Sequence, residues 1–403
     1  MGPIKYVVVT DHPDSVTPEQ LSKQIDSTLE RVNQLMSTYL PDSDVSRFNA
    51  SDSTEFFSVD PETVEVVRRA LQISEQTNGA FDITVGPAVD LWKFGTEKSE
   101  VKELPSADLV KQAAEVIGYQ KLSVRVDPSA LRKTEPKLRI DLSAIAKGYA
   151  VDQVAKALDD SGCQQYMVEV GGEVFVRGER ASGGPWQIGV ERPDASKSAN
   201  KIEVGFEREV FRVASISDKA LATSGDYRNY FELDGKRFSH TVDPKTCRPV
   251  EHGLASACVI ADDCMTADAL ATAVMVLGPD EGQKLCREAG VDYLLITRDS
   301  DFGSELTELK SAGFPIGKFD PEQLKSSKPK SKPSSAQGIL PTFIGAAVVI
   351  GLAILGMAVG SIFANKPVQG SCGGLSSATG EDGEASCSIC AKPTTDCVER
   401  AEA

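Results

Sequence analysis

The sequence predicts a mixed α/β domain over residues 1–320, a linker over 321–338, one membrane-crossing helix over 339–363 and a Cys-rich tail over 364–403. Three observations predict it. Strand-like and helical patterns alternate from 138 to 178, and strand patterns dominate from 186 to 260. Residues 339–363, ILPTFIGAAVVIGLAILGMAVGSIF, carry no charge. Four of the nine cysteines (Cys372, Cys387, Cys390 and Cys397) fall after residue 371.

The elements follow in order. The apolar run Tyr6–Val9 reads as a first strand. Residues 18–36 carry Leu21, Ile25, Leu29, Val32 and Met36 at helical spacing, with Thr17 as N-cap before Pro18. Residues 60–77 repeat the device with Asp60 and Pro61, and Asn78-Gly79 ends that helix. LRIDLS (138–143) reads as a strand, IAKGYAVDQVAKALDDSG (145–162) as a helix, and YMVEVGGEVFVRG (166–178) as strand again. Strands are expected at WQIGVE (186–191), EVFRVASIS (209–217), YFELDGKRFSHTV (230–242) and ASACVIA (255–261), with Asp234-Gly235 as a hairpin turn. Helices are expected over 266–277 and 280–289. No internal repeat is visible.

The net charge of -16 argues against a nucleic-acid binder, which needs a basic surface to neutralise phosphates. Cys163, Cys247, Cys258, Cys264 and Cys286 stand singly and read as buried thiols. The N-terminus lacks a basic segment followed by a long apolar stretch, so no export signal is read there. Tyr6 stands where myristoylation wants Ser or Thr.

Four clusters carry chemistry. Ile140 to Ala150 sets small residues beside Lys147 at a helix start, where an ammonium and backbone N–H groups can approach phosphate oxygens; close packing explains the small residues equally well. Gly171-Gly172-Glu173 puts a carboxylate at a tight bend. Ser239 to Thr246 places His240, a base or orienting donor, near Asp243. Met265 to Thr272 opens a helix with Asp268 and Thr272 four apart on one face, hard oxygen donors suited to Mg²⁺. Thr266 as N-cap and Asp268 as a first-turn charge is the competing reading.

In order along the chain, Met36-Ser37-Thr38-Tyr39, Gly79-Ala80-Phe81-Asp82, Val85-Gly86-Pro87, Asp141 to Ala150, Gly171-Gly172-Glu173, Ala222 to Tyr227, His240 to Thr246 and Thr266 to Thr272 resemble the ApbE family of FAD:protein FMN transferases. The resemblance covers about residues 5–320. It implies a tunnelling-fold-like architecture and a reaction that splits the FAD pyrophosphate, releases AMP and esterifies FMN to a Thr or Ser of an acceptor protein. Matched to this chain, it implies a metal site of Asp268, Thr272 and the Ala144 carbonyl. FAD contacts are implied at or near Met36, Tyr39, Gly79, Phe81, Asp82, Lys147, Gly172, Glu173 and Thr266, and catalytic roles for His240 with Asp243 in support. Three departures stand out: Cys247 replaces a usual Gly, Ile83 a frequent Pro, and Ser143-Ala144 a frequent Gly pair.

Residues 325–337, KSSKPKSKPSSAQ, cannot build a core and read as a flexible linker. The uncharged run exceeds the roughly 30 Å of a bilayer's hydrocarbon core. Gly356-x-x-x-Gly360 within it matches a helix-packing motif. The tail's four thiols suit zinc or iron, with two disulfides as the alternative. Helix and tail together, about 338–400, resemble NqrM, a maturation factor of the sodium-translocating NADH:quinone reductase, which implies that complex's flavoprotein subunit as acceptor.

The expected location is a single-pass protein of the bacterial inner membrane. Lys325, Lys328, Lys330 and Lys332 place the enzyme domain inside, whereas the family is exported, so its side stays open. Two rival functions stay open as well: a membrane-tethered FAD pyrophosphatase, and a non-catalytic flavin-binding or iron-delivery assembly factor. No Asp-x-x-Ser/Thr-Gly-Ala-Ser/Thr acceptor segment occurs in the chain.

Overall fold

The computed structural model describes residues 4–95, 101, 103–193, 209–227, 229–298 and 305–318. The chain divides into two units, and the first, Met1–Phe319, holds every described residue. The linker, the uncharged run and the cysteine tail lie outside the described residues. Among the described residues, no helix is long and apolar enough to cross a membrane.

The chain begins with β1 (Tyr6–Thr10), α1 (Pro18–Met36), α2 (Asp44–Ala50), β2 (Phe57–Ser58), α3 (Pro61–Gln76), α4 (Gly86–Leu91) and α5 (Ala107–Val116). It continues through β3 (Leu122–Arg125), β4 (Ala130–Lys133), α6 (Ala146–Asp160), β5 (Tyr166–Val170), β6 (Glu173–Arg177), β7 (Trp186–Glu191), β8 (Val210–Ile216) and β9 (Lys219–Gly225). The remainder is β10 (Tyr230–Leu233), β11 (Lys236–Ser239), β12 (Val242–Asp243), β13 (Arg248–Pro249), β14 (Leu254–Ala261), α7 (Cys264–Ala289), β15 (Asp292–Arg298) and β16 (Leu306–Lys310).

Local chemistry explains several boundaries. Thr17 and Gln20 form a reciprocal capping box at α1, and the Asp60 side chain accepts the Glu62 N–H at α3. Asn78 (φ 48°) and Gly79 (φ 80°) turn the chain out of α3. Gly171 and Gly172 join β5 to β6 in a two-residue hairpin, and Asp234-Gly235 does the same for β10 and β11; all four have positive φ, which such turns require. The two helices expected around 278 are halves of α7, broken at Gly278 (φ 78°, ψ -177°) before Pro279.

Residues 138–143 do not form the expected strand. The Ile140 N–H donates to Asn49 Oδ1, and its carbonyl accepts from Asn49 Nδ2, each at 2.8 Å; the Asp141 N–H donates to the Ile83 carbonyl at 2.7 Å. One side-chain amide takes the place of a neighbouring strand.

A seven-stranded antiparallel sheet, ordered β1-β5-β6-β9-β14-β15-β16, forms the frame. Ala257 and Val259 of β14 join the core shared with α1, α3 and α7. Cys258 and Ile260 pack on the other face with Ile188, Val190, Ala214 and Ile216 of the β7–β8 hairpin. Burial on both faces explains why ASACVIA is apolar without alternation. A smaller cluster of Ala88, Trp92, Val110, Ile117, Phe238, Val242 and Cys247 stands apart. The five cysteines up to Cys286 are free and buried, as expected.

Candidate active site

A cleft of about 430 Å³ is lined by the sheet end, the start of α6, Thr272, Met275 and Val276 of α7, and residues of the smaller cluster. Its floor forms where α6 crosses α7. A Cβ on Gly148 would stand 2.2 Å from the Cys264 carbonyl oxygen, so the helices meet only because residue 148 has no side chain. That approach lets the Gly148 N–H reach Asp268 Oδ2 at 3.0 Å. The close-packing reading of this small-residue stretch holds; the Gly148 N–H turns to Asp268, and Lys147 lines the cleft.

Lys147 Nζ lies 2.9 and 3.1 Å from the two Asp268 carboxylate oxygens and 3.1 Å from Glu173 Oε1. Burial works against the ammonium, but the two carboxylates outweigh it and hold its pKa above the ordinary lysine value. Burial pushes Glu173 up from the ordinary carboxylate range. Its Oε2 is buried with no hydrogen-bond partner. One turn beyond Asp268, the Thr272 hydroxyl lies 3.2 Å from that of Ser224, at the end of β9.

The donors fit Mg²⁺, a hard cation that keeps waters and takes phosphate oxygens beside few protein ligands. Asp268 and Thr272 share one helix face, and the Glu173 oxygen left unpaired beside them belongs to the same chemistry. Among the described residues, no three His, Cys, Asp or Glu side chains converge as a self-sufficient cage. A site completed by a carbonyl such as that of Ala144, a cleft-lining residue, and by substrate phosphate matches this sparse set.

The opposite wall is aromatic. Phe94 stacks on Phe231 (5.3 Å between centroids), Phe231 on Phe238 (5.0 Å) and Phe238 on Trp92 (5.8 Å). The Trp92 indole N–H donates to the Cys247 carbonyl at 2.8 Å. His240 stands edge-on to Phe94, and both its backbone N–H and its Nδ1 point at the Asn229 carbonyl, at 3.1 and 3.0 Å. A carbonyl only accepts, so Nδ1 carries a hydrogen, and in the neutral form of the ring the lone pair lies on Nε2.

Of the residues singled out in the sequence, Tyr39, Phe81, Asp82, Ala144, Lys147, Glu173, His240 and Thr272 line the cleft. Tyr39 is 61% exposed, a flat aromatic surface open to a ligand. The Asp82 carboxylate accepts from the Thr84 N–H, the Thr84 hydroxyl and the Tyr119 N–H at 2.7–2.8 Å, and burial raises its pKa. Asp268 lies beneath Lys147, buried.

The others sit behind this surface. Met36 packs in the main core, and Gly79 turns beneath the Tyr119 ring. Gly172 forms the hairpin beside Gly171, which does line the cleft. Thr266 supports the α7 N-terminus, donating to Asp263 at 2.9 Å and accepting from Arg69 at 2.8 Å, while Asp263 is the N-cap. The Asp243 carboxylate accepts the Lys245 N–H at 2.9 Å, which shapes the loop after His240. Ser224, within the family-like run Ala222 to Tyr227, and Asn229 carry no site role in the sequence reading. Ser224 had a signal in the Thr-Ser-Gly end of its strand, whereas Asn229 acts through its carbonyl, which any residue has.

Comparison with known proteins agrees with this geometry. A FAD:protein FMN transferase of Vibrio cholerae serotype O1 is 41% identical over 298 residues, 74% of this chain and 84% of that protein. The solved flavin transferase ApbE from Vibrio cholerae superposes with a TM-score of 0.66 at 36% identity, covering 77% of this chain and 99% of that one. The apo flavinyl transferase ApbE of Pseudomonas stutzeri gives 0.67 at 34%, covering 76% and 91%. A family model described as (Na+)-NQR maturation NqrM matches residues 361–403, a later start than the expected 338. The ApbE family model matches residues 1–295, and with that breadth of match the chain belongs to the ApbE family.

Proposed function

We propose that the protein is an FAD:protein FMN transferase that uses Mg²⁺, with a subunit of a sodium-translocating NADH:quinone reductase as acceptor. The transferase reading has the support of relatives so named. The observation that carries it is the meeting in one cleft of Lys147 and Thr272, above buried Asp268, with His240 on an aromatic wall. The acceptor is inferred from residues 361–403, whose family is named for that reductase's maturation.

The chemistry follows from these groups. Tyr39, Phe81, Val89, Phe94 and Val242 offer apolar surface to a flat ring system. Lys147 brings positive charge to the pyrophosphate. When bound, Mg²⁺ held by Asp268, Thr272 and the Ala144 carbonyl neutralises charge on the phosphate oxygens. His240 Nε2 accepts the proton of the acceptor's Thr or Ser hydroxyl. The hydroxyl oxygen bonds to the FMN phosphorus, the bond from that phosphorus to the bridging oxygen breaks, and AMP departs with that oxygen. The Asn229 carbonyl keeps the imidazole in the tautomer this needs.

Residues 339–363 are proposed to anchor the enzyme as a single-pass protein of the bacterial inner membrane. Cys372, Cys387, Cys390 and Cys397 are proposed to bind iron or zinc in the service of the same reductase. Two variants test the catalytic reading. His240→Ala is expected to abolish transfer while FAD still binds; wild-type transfer by it contradicts the assignment. Asp268→Ala is expected to lose activity that excess Mg²⁺ restores at most partly.

A further inference from the structure

We propose that Lys147 is a built-in counter-ion of the metal site that makes divalent-cation binding conditional on the dinucleotide. This rests on the reading of Asp268 and Thr272 as metal ligands.

The Asp268 and Glu173 side chains are 2% and 4% exposed, and both contact the same ammonium. Two buried carboxylates without a cation would repel strongly at low effective dielectric. Lys147 removes that repulsion by occupying both oxygens of Asp268. The second ligand side chain is engaged too, since Thr272 meets Ser224 at 3.2 Å. A cation arriving alone must therefore compete with the ammonium for the Asp268 oxygens, while the Thr272 hydroxyl can bind it only in the orientation that donates to Ser224.

Charge favours the same order. With both carboxylates ionised, Asp268, Glu173 and Lys147 together carry one negative charge, which a divalent cation alone turns into one positive charge at their contact; the cleft-lining Asp82 and Asp141 accept backbone N–H groups instead. A pyrophosphate with two negative charges restores the sign and gives the displaced ammonium new oxygens. Glu173, already in contact with Nζ through Oε1 and with Oε2 unpaired, offers the ammonium a place to stay as it leaves Asp268. Metal and dinucleotide thus each strengthen the other's binding, and by the same factor.

The test is calorimetric titration of the full-length protein in detergent with Mn²⁺, with and without FAD and with no acceptor present. In the wild type, FAD is expected to raise Mn²⁺ affinity about 10- to 100-fold. Lys147→Met is expected to bind Mn²⁺ about tenfold tighter than wild type without FAD, and to show less than about threefold coupling. Lys147→Gln, whose amide still donates to a carboxylate, should behave alike and decides the matter if the Met variant does not fold. Lys147→Arg keeps the charge and should keep the coupling. Unchanged or weaker Mn²⁺ binding in the folded uncharged variants, or wild-type coupling in them, overturns the inference. Asp268→Asn separates the two claims: Mn²⁺ binding that survives it removes the metal-site reading itself, whereas its loss without tightening in the Lys147 variants removes this inference alone.

Discussion

The backbone N–H of Gly148 donates to Asp268 Oδ2 at 3.0 Å, across a crossing of α6 and α7 with no room for a side chain at residue 148. The atoms in the way are the Cys264 carbonyl and the Met265 Cα, both backbone, so neither yields by changing rotamer. Gly148→Ala is therefore expected to force the helices apart, costing about 1–3 kcal/mol in urea denaturation. It should also weaken Mn²⁺ binding, because Asp268 shifts with α7. Wild-type stability and metal affinity together would show that the crossing relaxes freely.

Asp226 and Arg298 form a buried pair with two N–H···O bonds, at 2.7 and 2.9 Å. Three residues after Asp226, the Asn229 carbonyl meets His240, so this pair anchors the support of the His240 imidazole. Asp226→Ala leaves a buried guanidinium without its partner and is expected to destabilise by about 3–5 kcal/mol. Asp226→Ala with Arg298→Met should recover a substantial part of that loss. Equal denaturation midpoints for the single and double variants would contradict the argument.

Cys247 occupies a left-handed conformation (φ 52°) and is fully buried. Burial raises its thiol to about 11, so it stays a neutral packing group. Glycine adopts this φ without strain, offsetting the lost packing of the thiol, and Cys247→Gly should lie within about 1 kcal/mol of wild type. Cys247→Val puts a β-branched residue in the left-handed region and should cost about 2 kcal/mol. Thermal melts that rank Val above Gly would contradict this.

Asp152 on α6 accepts the Cys264 and Met265 N–H groups at 2.8 Å each. Burial outweighs those bonds and pushes the carboxyl up to about 7. The folded protein therefore holds a proton that the unfolded chain releases near pH 4 or about that value. The stability this contributes is complete below that pH and is lost as pH rises through about 7. Asp152→Asn does not titrate and should show a flatter stability profile across this window, apart from a constant offset for one lost acceptor. A wild-type-to-variant difference that is the same at every pH would contradict this.

Much of this was legible in the residues. Thr17-Pro18 and Asp60-Pro61 mark helix starts because a side-chain acceptor and a missing N–H solve the same end problem locally. The two glycine-containing hairpins are equally local. Strand β9 was harder to see, because KALATSG lacks the β-branched and aromatic residues that strands favour and owes its place to neighbours β6 and β14. LRIDLS misled for the reverse reason: its pattern is strand-like, but Asn49, distant in sequence, takes its hydrogen bonds. In the site, the common helix face of Asp268 and Thr272 was readable from their spacing. The grip of Lys147 on Asp268 was not, since it depends on the helix crossing that Gly148 permits.

In the proposed reaction, FMN leaves FAD for a protein hydroxyl in this cleft. Mass spectrometry of the acceptor subunit after incubation with enzyme, FAD and Mg²⁺, with AMP counted in the same mixture, decides it. The expected product is an FMN-esterified Thr or Ser, with one AMP released per adduct. AMP and free FMN accumulating beside unmodified acceptor would contradict it and mark the enzyme as a hydrolase.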